Sequence, residues 1–298
     1  MTQQRHELLF GSFITPSADH VEQVVALTRL SEQAGLDIAT FQDHPYQPRL
    51  LDSWTLISYL AAATSRITLA PNVMNLPMRQ PVVIARSVAT LDLLTGGRVE
   101  LALGAGGFWD AIEAIGGRRL TAGESVDALG EAVTIIREVW DAGTRGGVRV
   151  DGTQYRIVGA KRGPAPAHDV GIWVGAYRPR ILRLVGRVAD GWLPSLSYIE
   201  GGLAGLAQAN RHIDEGAEAA GRDPASVRRL LNIGDHFTPG GSGALSGPLA
   251  QWAAQLTEIT LEHGISGYIL AGDDPAAIQR FGEEVAPAVR ELVTKSRT

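Results

Sequence analysis

Eight short apolar, β-branched runs recur along this chain of 298 residues, and stretches of helical periodicity separate them. Few folds accommodate that alternation, because strand, helix and strand in succession build a parallel sheet covered by helices. The runs are ELLFGSF (7–13), LDIATFQ (36–42), RITLAPNV (66–73), RVELALG (98–104), GIWVG (171–175), DGWLP (190–194), RRLLNIG (228–234) and SGYILAG (266–272). Between them Leu129, Ala132, Val133, Ile136 and Trp140 share one helical face, and Ile84, Val88 and Leu91 share another. Eight such units in this length predict an α/β fold, a TIM (β/α)8 barrel, as one domain spanning 1–298. An open Rossmann sheet fits less well, since no G-x-G-x-x-G follows the first run. Two segments depart from the repeat: a Gly- and Pro-rich stretch at 146–169 reads as a hairpin insertion before strand five, and 238–248 reads as a Gly-rich loop after strand seven.

Charge and composition remove several classes of function. A net charge of -5 with scattered arginines gives no electrostatic footprint for nucleic acid. Without cysteine the chain has no disulfide, thiol nucleophile or cysteine-ligated metal, which suits a reducing cytoplasm. The N-terminus MTQQRHELLFGSF lacks the apolar stretch of a signal peptide, and no window approaches a membrane span, so a cytoplasmic location is expected.

In a barrel of this kind the residues just after each strand build the site. After strand two stand Asp43, His44, Pro45 and Tyr46, a carboxylate beside an imidazole that can move or orient a proton near neutral pH. A capped loop with a satisfied histidine would read the same. After strand three stand Asn72, Val73, Met74 and Asn75, two amides that could hydrogen-bond a flat polar heterocycle or cap the next helix. After strand four, Gly104, Ala105, Gly106 and Gly107 clear space before Phe108 and Trp109, as a tight turn with a packed aromatic pair also would. A metal-dependent hydrolase is disfavoured: strand one ends without His-x-His, and of seven histidines only His44 and His236 fall at strand ends.

Strand five runs into Gly175, Ala176, Tyr177, Arg178, Pro179 and Arg180 and then a helix. A helix start offers unpaired N–H groups and a positive partial charge, Pro179 suits its first position, and the two arginines add charge for a phosphate. Solvated surface arginines are the other reading. Trp173, Trp192 and Tyr155 are expected to pack in the core or under the hairpin.

Taken together, AGLDIATFQDHPYQP, SRITLAPNVMNLPMRQPVVIARSVATLDLLTGGRVELALGAG, GTQYRIVGAKRGPAPAHDVGIWVGAYRPRILRLVGRVADGWLP and the terminal RFGEEVAPAVREL resemble the luciferase-like monooxygenase superfamily over nearly the whole chain. The resemblance implies a barrel with insertions and an isoalloxazine-like ring across its mouth, with a non-prolyl cis peptide at Asn72-Val73. It assigns cofactor contacts to Asn72, Val73, Met74, Asn75, Gly104, Ala105 and Gly106. It gives the cofactor phosphate to Gly175, Ala176, Tyr177 and Arg178, with Arg180 as an addition. Asp-His after strand two is similar to the branch using coenzyme F420, whereas Glu-His-His marks the luciferase type, which uses FMN. A deazaflavin passes a hydride and reacts poorly with oxygen, so the resemblance implies an oxidoreductase in which Asp43 and His44 serve proton transfer.

Where sugar-phosphate dehydrogenases of the F420 branch carry a catalytic Glu, this chain has Gly107, which leaves Phe108 and Trp109 to line a pocket for an apolar or conjugated organic substrate. The alternatives are an FMN-dependent monooxygenase served by a flavin reductase partner, and a protein that binds F420 or a flavin without turnover. Family members are often dimers, so a homodimer is the further partner that the resemblance allows.

Overall fold

The computed structural model describes residues 6–234, 245 and 247–297; most of the Gly-rich 238–248 segment, together with His236, lies outside the described residues. Its strands are β1 (Leu9–Ile14), β2 (Ile38–Phe41), β3 (Thr68–Pro71), β4 (Met74–Asn75), β5 (Leu101–Gly104), β6 (Val148–Asp151), β7 (Arg156–Ala160), β8 (Ile172–Val174), β9 (Gly191–Trp192), β10 (Arg228–Gly234) and β11 (Gly267–Ala271). Nine of them form one sheet in the order β3-β2-β1-β11-β10-β9-β8-β5-β4, and β6 and β7 form a separate antiparallel pair. Every neighbour in the large sheet is parallel. The ring closes where Leu69 of β3 bridges Val99 in front of β5. Strands β3 and β4 are one barrel stave, interrupted at the cis peptide Asn72-Val73. Eight staves result, one for each run in the sequence, and β6 with β7 is the hairpin expected within 146–169.

The lumen is filled by one inward residue from each of several staves, Ile38, Ala70, Ala102, Trp173, Leu193, Leu230 and Ile269. Glycine balances the bulk: a Cβ at Gly191 would lie 2.6 Å from the Trp173 ring, so β9 can pass the indole only with no side chain there. Outside the barrel, the helix Ala122–Trp140 buries Leu129, Ala132, Val133 and Ile136, and a Thr121–Glu124 capping box starts it. Trp192 is fully buried and Trp173 nearly so, as expected. Tyr155 is half-buried beneath the hairpin.

One cluster of charged groups, Asp92, Glu100 and His168, stands just before β5 and β8, at the end of the barrel opposite the strand C-termini. Asp92 is fully buried and accepts from the main-chain N–H groups of Ala167 and His168 and from the His168 ring. The Glu100 carboxylate, with Asp92, outweighs desolvation and holds the His168 imidazolium up to about 9. Its folded value exceeds the ordinary histidine value near 6.5. Its stabilisation is therefore complete below pH 6.5 and is lost as pH rises through about 9. Thermal melts of wild type and His168→Gln should differ most below pH 6.5, with the gap closing toward pH 9; a gap independent of pH would refute the assignment.

Candidate active site

A cavity of about 490 Å³ opens at the C-terminal ends of the staves. Its walls include Asp43, His44 and Tyr46 after β2, the interrupted stave from Asn72 to Asn75, Gly104 to Phe108 after β5, and Gly175 to Arg178 after β8. The sequence-predicted residues Asp43, His44, Asn72, Val73, Met74, Asn75, Gly104, Ala105, Gly106, Phe108, Gly175, Ala176, Tyr177 and Arg178 all meet here.

The stave interruption shapes the floor. A Cβ at Gly104 would stand 2.6 Å from the Val73 side chain, and one at Gly175 would meet it at 3.4 Å. Two small residues on neighbouring stave ends thus leave room for Val73 beside the cavity. Beneath it, Asn72 and Asn232 exchange hydrogen bonds of 2.8 and 3.1 Å, Thr40 accepts from Asn72, and Ser195 accepts from Asn232. These amides are satisfied within the protein. Asn75 differs: its Oδ1 is buried and, among the described residues, has no hydrogen-bond partner. An acceptor left unpaired in a cavity wall costs free energy until a donor arrives, about 1 to 3 kcal/mol.

Asp43 does not pair with His44. Its carboxylate, almost fully buried, accepts from the Asn75 N–H at 2.9 Å and from Arg79 at 3.0 and 3.1 Å. Arg79 also reaches Asp52 at 2.6 Å. The carboxylate therefore holds the end of β4 in place, engaged by Arg79 and the Asn75 N–H rather than by His44. His44 instead has Tyr46 as its partner, with Nδ1 2.6 Å from the phenol oxygen. Burial pushes the imidazole below its ordinary value, against an opposing pull from the Asp43 charge.

Two further expectations are corrected. Trp109 does not line the cavity: it opens the short helix Trp109–Ala114, and its ring packs where a Cβ of Gly106 would fall. Gly106 has φ +97°, a conformation that favours glycine, and this turn directs the Trp109 ring over the loop while Phe108 keeps its place in the wall. Arg180 is bound to Asp127 at 2.6 Å and is likewise outside the wall. Arg178 lines the cavity with its guanidinium exposed, and Pro179 opens the helix Pro179–Val188 as predicted.

Several wall residues escaped the sequence reading. Phe13 and Ser195 stand at or just past stave ends, where the barrel rule should have found them. Asn232 is the one amide inside the apolar run RRLLNIG, which is itself a signal. Tyr198, edge to face with Tyr177 at 5.8 Å, had no signal.

A family model described as luciferase-like monooxygenase matches residues 7–286. An F420-dependent glucose-6-phosphate dehydrogenase of Microbacterium testaceum is 30% identical over 297 residues, covering 89% of this chain and 84% of the relative. A 5,10-methylenetetrahydromethanopterin reductase of Archaeoglobus fulgidus is 28% identical, covering 97% of this chain and 79% of the relative. Among solved structures, an F420-dependent secondary alcohol dehydrogenase in complex with an F420-acetone adduct superposes with a TM-score of 0.82 at 20% identity, over 95% of this chain and 99% of that one.

Proposed function

Given that the chain belongs to the luciferase-like monooxygenase family, we propose that it is an F420-dependent oxidoreductase that moves a hydride between the deazaflavin and a small, apolar or conjugated organic substrate, with His44 donating or accepting the accompanying proton. The observation that carries this reading is the convergence of His44, the unpaired Asn75 Oδ1 and the strand-to-helix turn Gly175–Arg178 on one cavity.

The residues present fit the cofactor. Asn75 Oδ1 is a buried acceptor suited to a ring N–H group. The helix start at Pro179, with Arg178 before it, suits a phosphate. Val73, Ala105 and Ala176 offer apolar surface to a flat ring. The deazaflavin supplies a carbon centre that accepts or gives a hydride and reacts poorly with oxygen. The protein's part is to bind, to exclude water and to manage the proton. His44, neutral near pH 7 because burial lowers its basicity, is a group able to take a proton from a substrate hydroxyl or amine, or to return one.

The remaining walls support the proposed substrate class. A Cβ at Gly107 would meet nothing within 4 Å, so this position is open and carries no carboxylate. Next in the chain, Phe108 packs on Tyr46 at 5.9 Å and gives the wall an aromatic face. Glucose 6-phosphate should therefore give no turnover above background, and steady turnover of it would sink the substrate assignment.

The cofactor is tested by fluorescence titration of cofactor-free protein with F420 and, separately, FMN. Tight binding of F420 alone is expected. Tight binding of FMN alone would overturn the reading in favour of a monooxygenase supplied by a reductase.

A further inference from the structure

The pair formed by His44 and Tyr46 has a chemistry of its own. Their rings meet edge to face at 5.4 Å, and Phe108 packs against both, at 5.5 Å from His44 and 5.9 Å from Tyr46. The phenol oxygen sits 2.6 Å from His44 Nδ1, which leaves Nε2 as the ring nitrogen available to a substrate. A carboxylate in the phenol's place could only accept, and its charge would favour the imidazolium. The charge nearest the pair, the Asp43 carboxylate, is already engaged by Arg79 and the Asn75 N–H.

We infer that Tyr46 is a positioning residue for proton transfer: its phenol oxygen accepts the His44 Nδ1–H, which fixes the ring and leaves Nε2 unprotonated as a base. This rests on the reading of His44 as the proton-transfer group. Were the phenol the donor, the only proton of a neutral imidazole would sit on Nε2, and no lone pair would face the substrate. In the proposed arrangement the substrate O–H or N–H bond breaks, an Nε2–H bond forms, and the positive charge rests on an imidazolium still hydrogen-bonded through Nδ1–H to the phenol. In the reverse direction the same Nε2–H is returned. Burial pushes the Tyr46 phenol up to about 12, so it remains neutral throughout. A neutral partner orients the ring without raising its basicity, which a carboxylate would do.

The test is a Tyr46→Phe substitution, which keeps the ring contacts with His44 and Phe108 and removes only the oxygen. Nitrogen-15 NMR of the imidazoles in cofactor-free protein reports the tautomer directly, with the His44 signals identified by their loss in His44→Gln. In wild type the Nδ1–H form is expected; in Tyr46→Phe the signals should move to the Nε2–H form or to an exchanging mixture. With cofactor and a turned-over substrate, kcat should fall about ten- to a hundredfold at nearly constant KM, the range known for partners that orient a metal-ligating imidazole through its second nitrogen. A wild-type Nε2–H tautomer, or a Tyr46→Phe variant with unchanged tautomer and unchanged kcat, would overturn the proposal. Those results leave the role of His44 standing; that role fails instead if His44→Ala turns over at the wild-type rate.

Discussion

Replacing His44 by alanine should lower kcat about a hundred- to ten-thousandfold, the range for loss of a positioned general acid or base, while the affinity for F420 changes by no more than about twofold. The two quantities separate because the unpaired acceptor and the phosphate-suited turn belong to other stave ends, whereas His44 stands after β2. In the direction that oxidises substrate, the imidazole must be neutral to work. Burial lowers its basicity below the ordinary histidine range, so kcat/KM should be level at neutral pH and decline on the acid side with a midpoint below 6.5. The alanine variant should lack that acid limb, and added imidazole should restore part of the rate. A protein that only carries its cofactor would have no turnover to lose.

The second large effect concerns stability. Arg79→Met should cost about 3 to 5 kcal/mol, because it leaves the buried Asp43 carboxylate without its cation. The guanidinium is mostly buried and bridges Asp43 to Asp52, the residue that also caps the helix Ser53–Ala63. Removing it should loosen the end of β4, where Asp43 holds the Asn75 N–H, and weaken F420 binding in parallel. Denaturant unfolding and cofactor titration of the same variant check both. A midpoint unchanged from wild type would show that Asp43 finds another partner, and the account of this network would fall.

Barrel architecture was legible because strand periodicity and helix periodicity are independent signals, and eight alternations of the two satisfy few folds. Strand ends were less so. By residue type the run 66–73 reads as one strand; the stave breaks at Asn72-Val73, the bond where the resemblance implied a non-prolyl cis peptide, and resumes as Met74–Asn75, a change that residue type alone expresses weakly. Site membership followed from the rule that stave ends converge, which gathered nearly all the expected residues. Side-chain direction did not follow. Asp43 and His44 are adjacent in sequence, but successive residues leaving a strand point to different sides, so the carboxylate meets Arg79 while the imidazole meets Tyr46. Trp109 and Phe108 divide in the same way across the start of a helix.

Asp92 has a meaning beyond stability. One carboxylate ties the end of the helix Pro81–Thr95, the Val99 N–H in front of β5, and the Ala167 and His168 N–H groups at which the chain returns from its hairpin. The clamp fixes the point at which the chain re-enters the barrel, so β8 keeps its place along its neighbours independently of the hairpin, whose turn is held separately by Glu131 through the N–H groups of Thr153, Gln154 and Tyr155. The hairpin is thus a place where descendants of this sequence can acquire new surface while the register beneath the site is inherited unchanged.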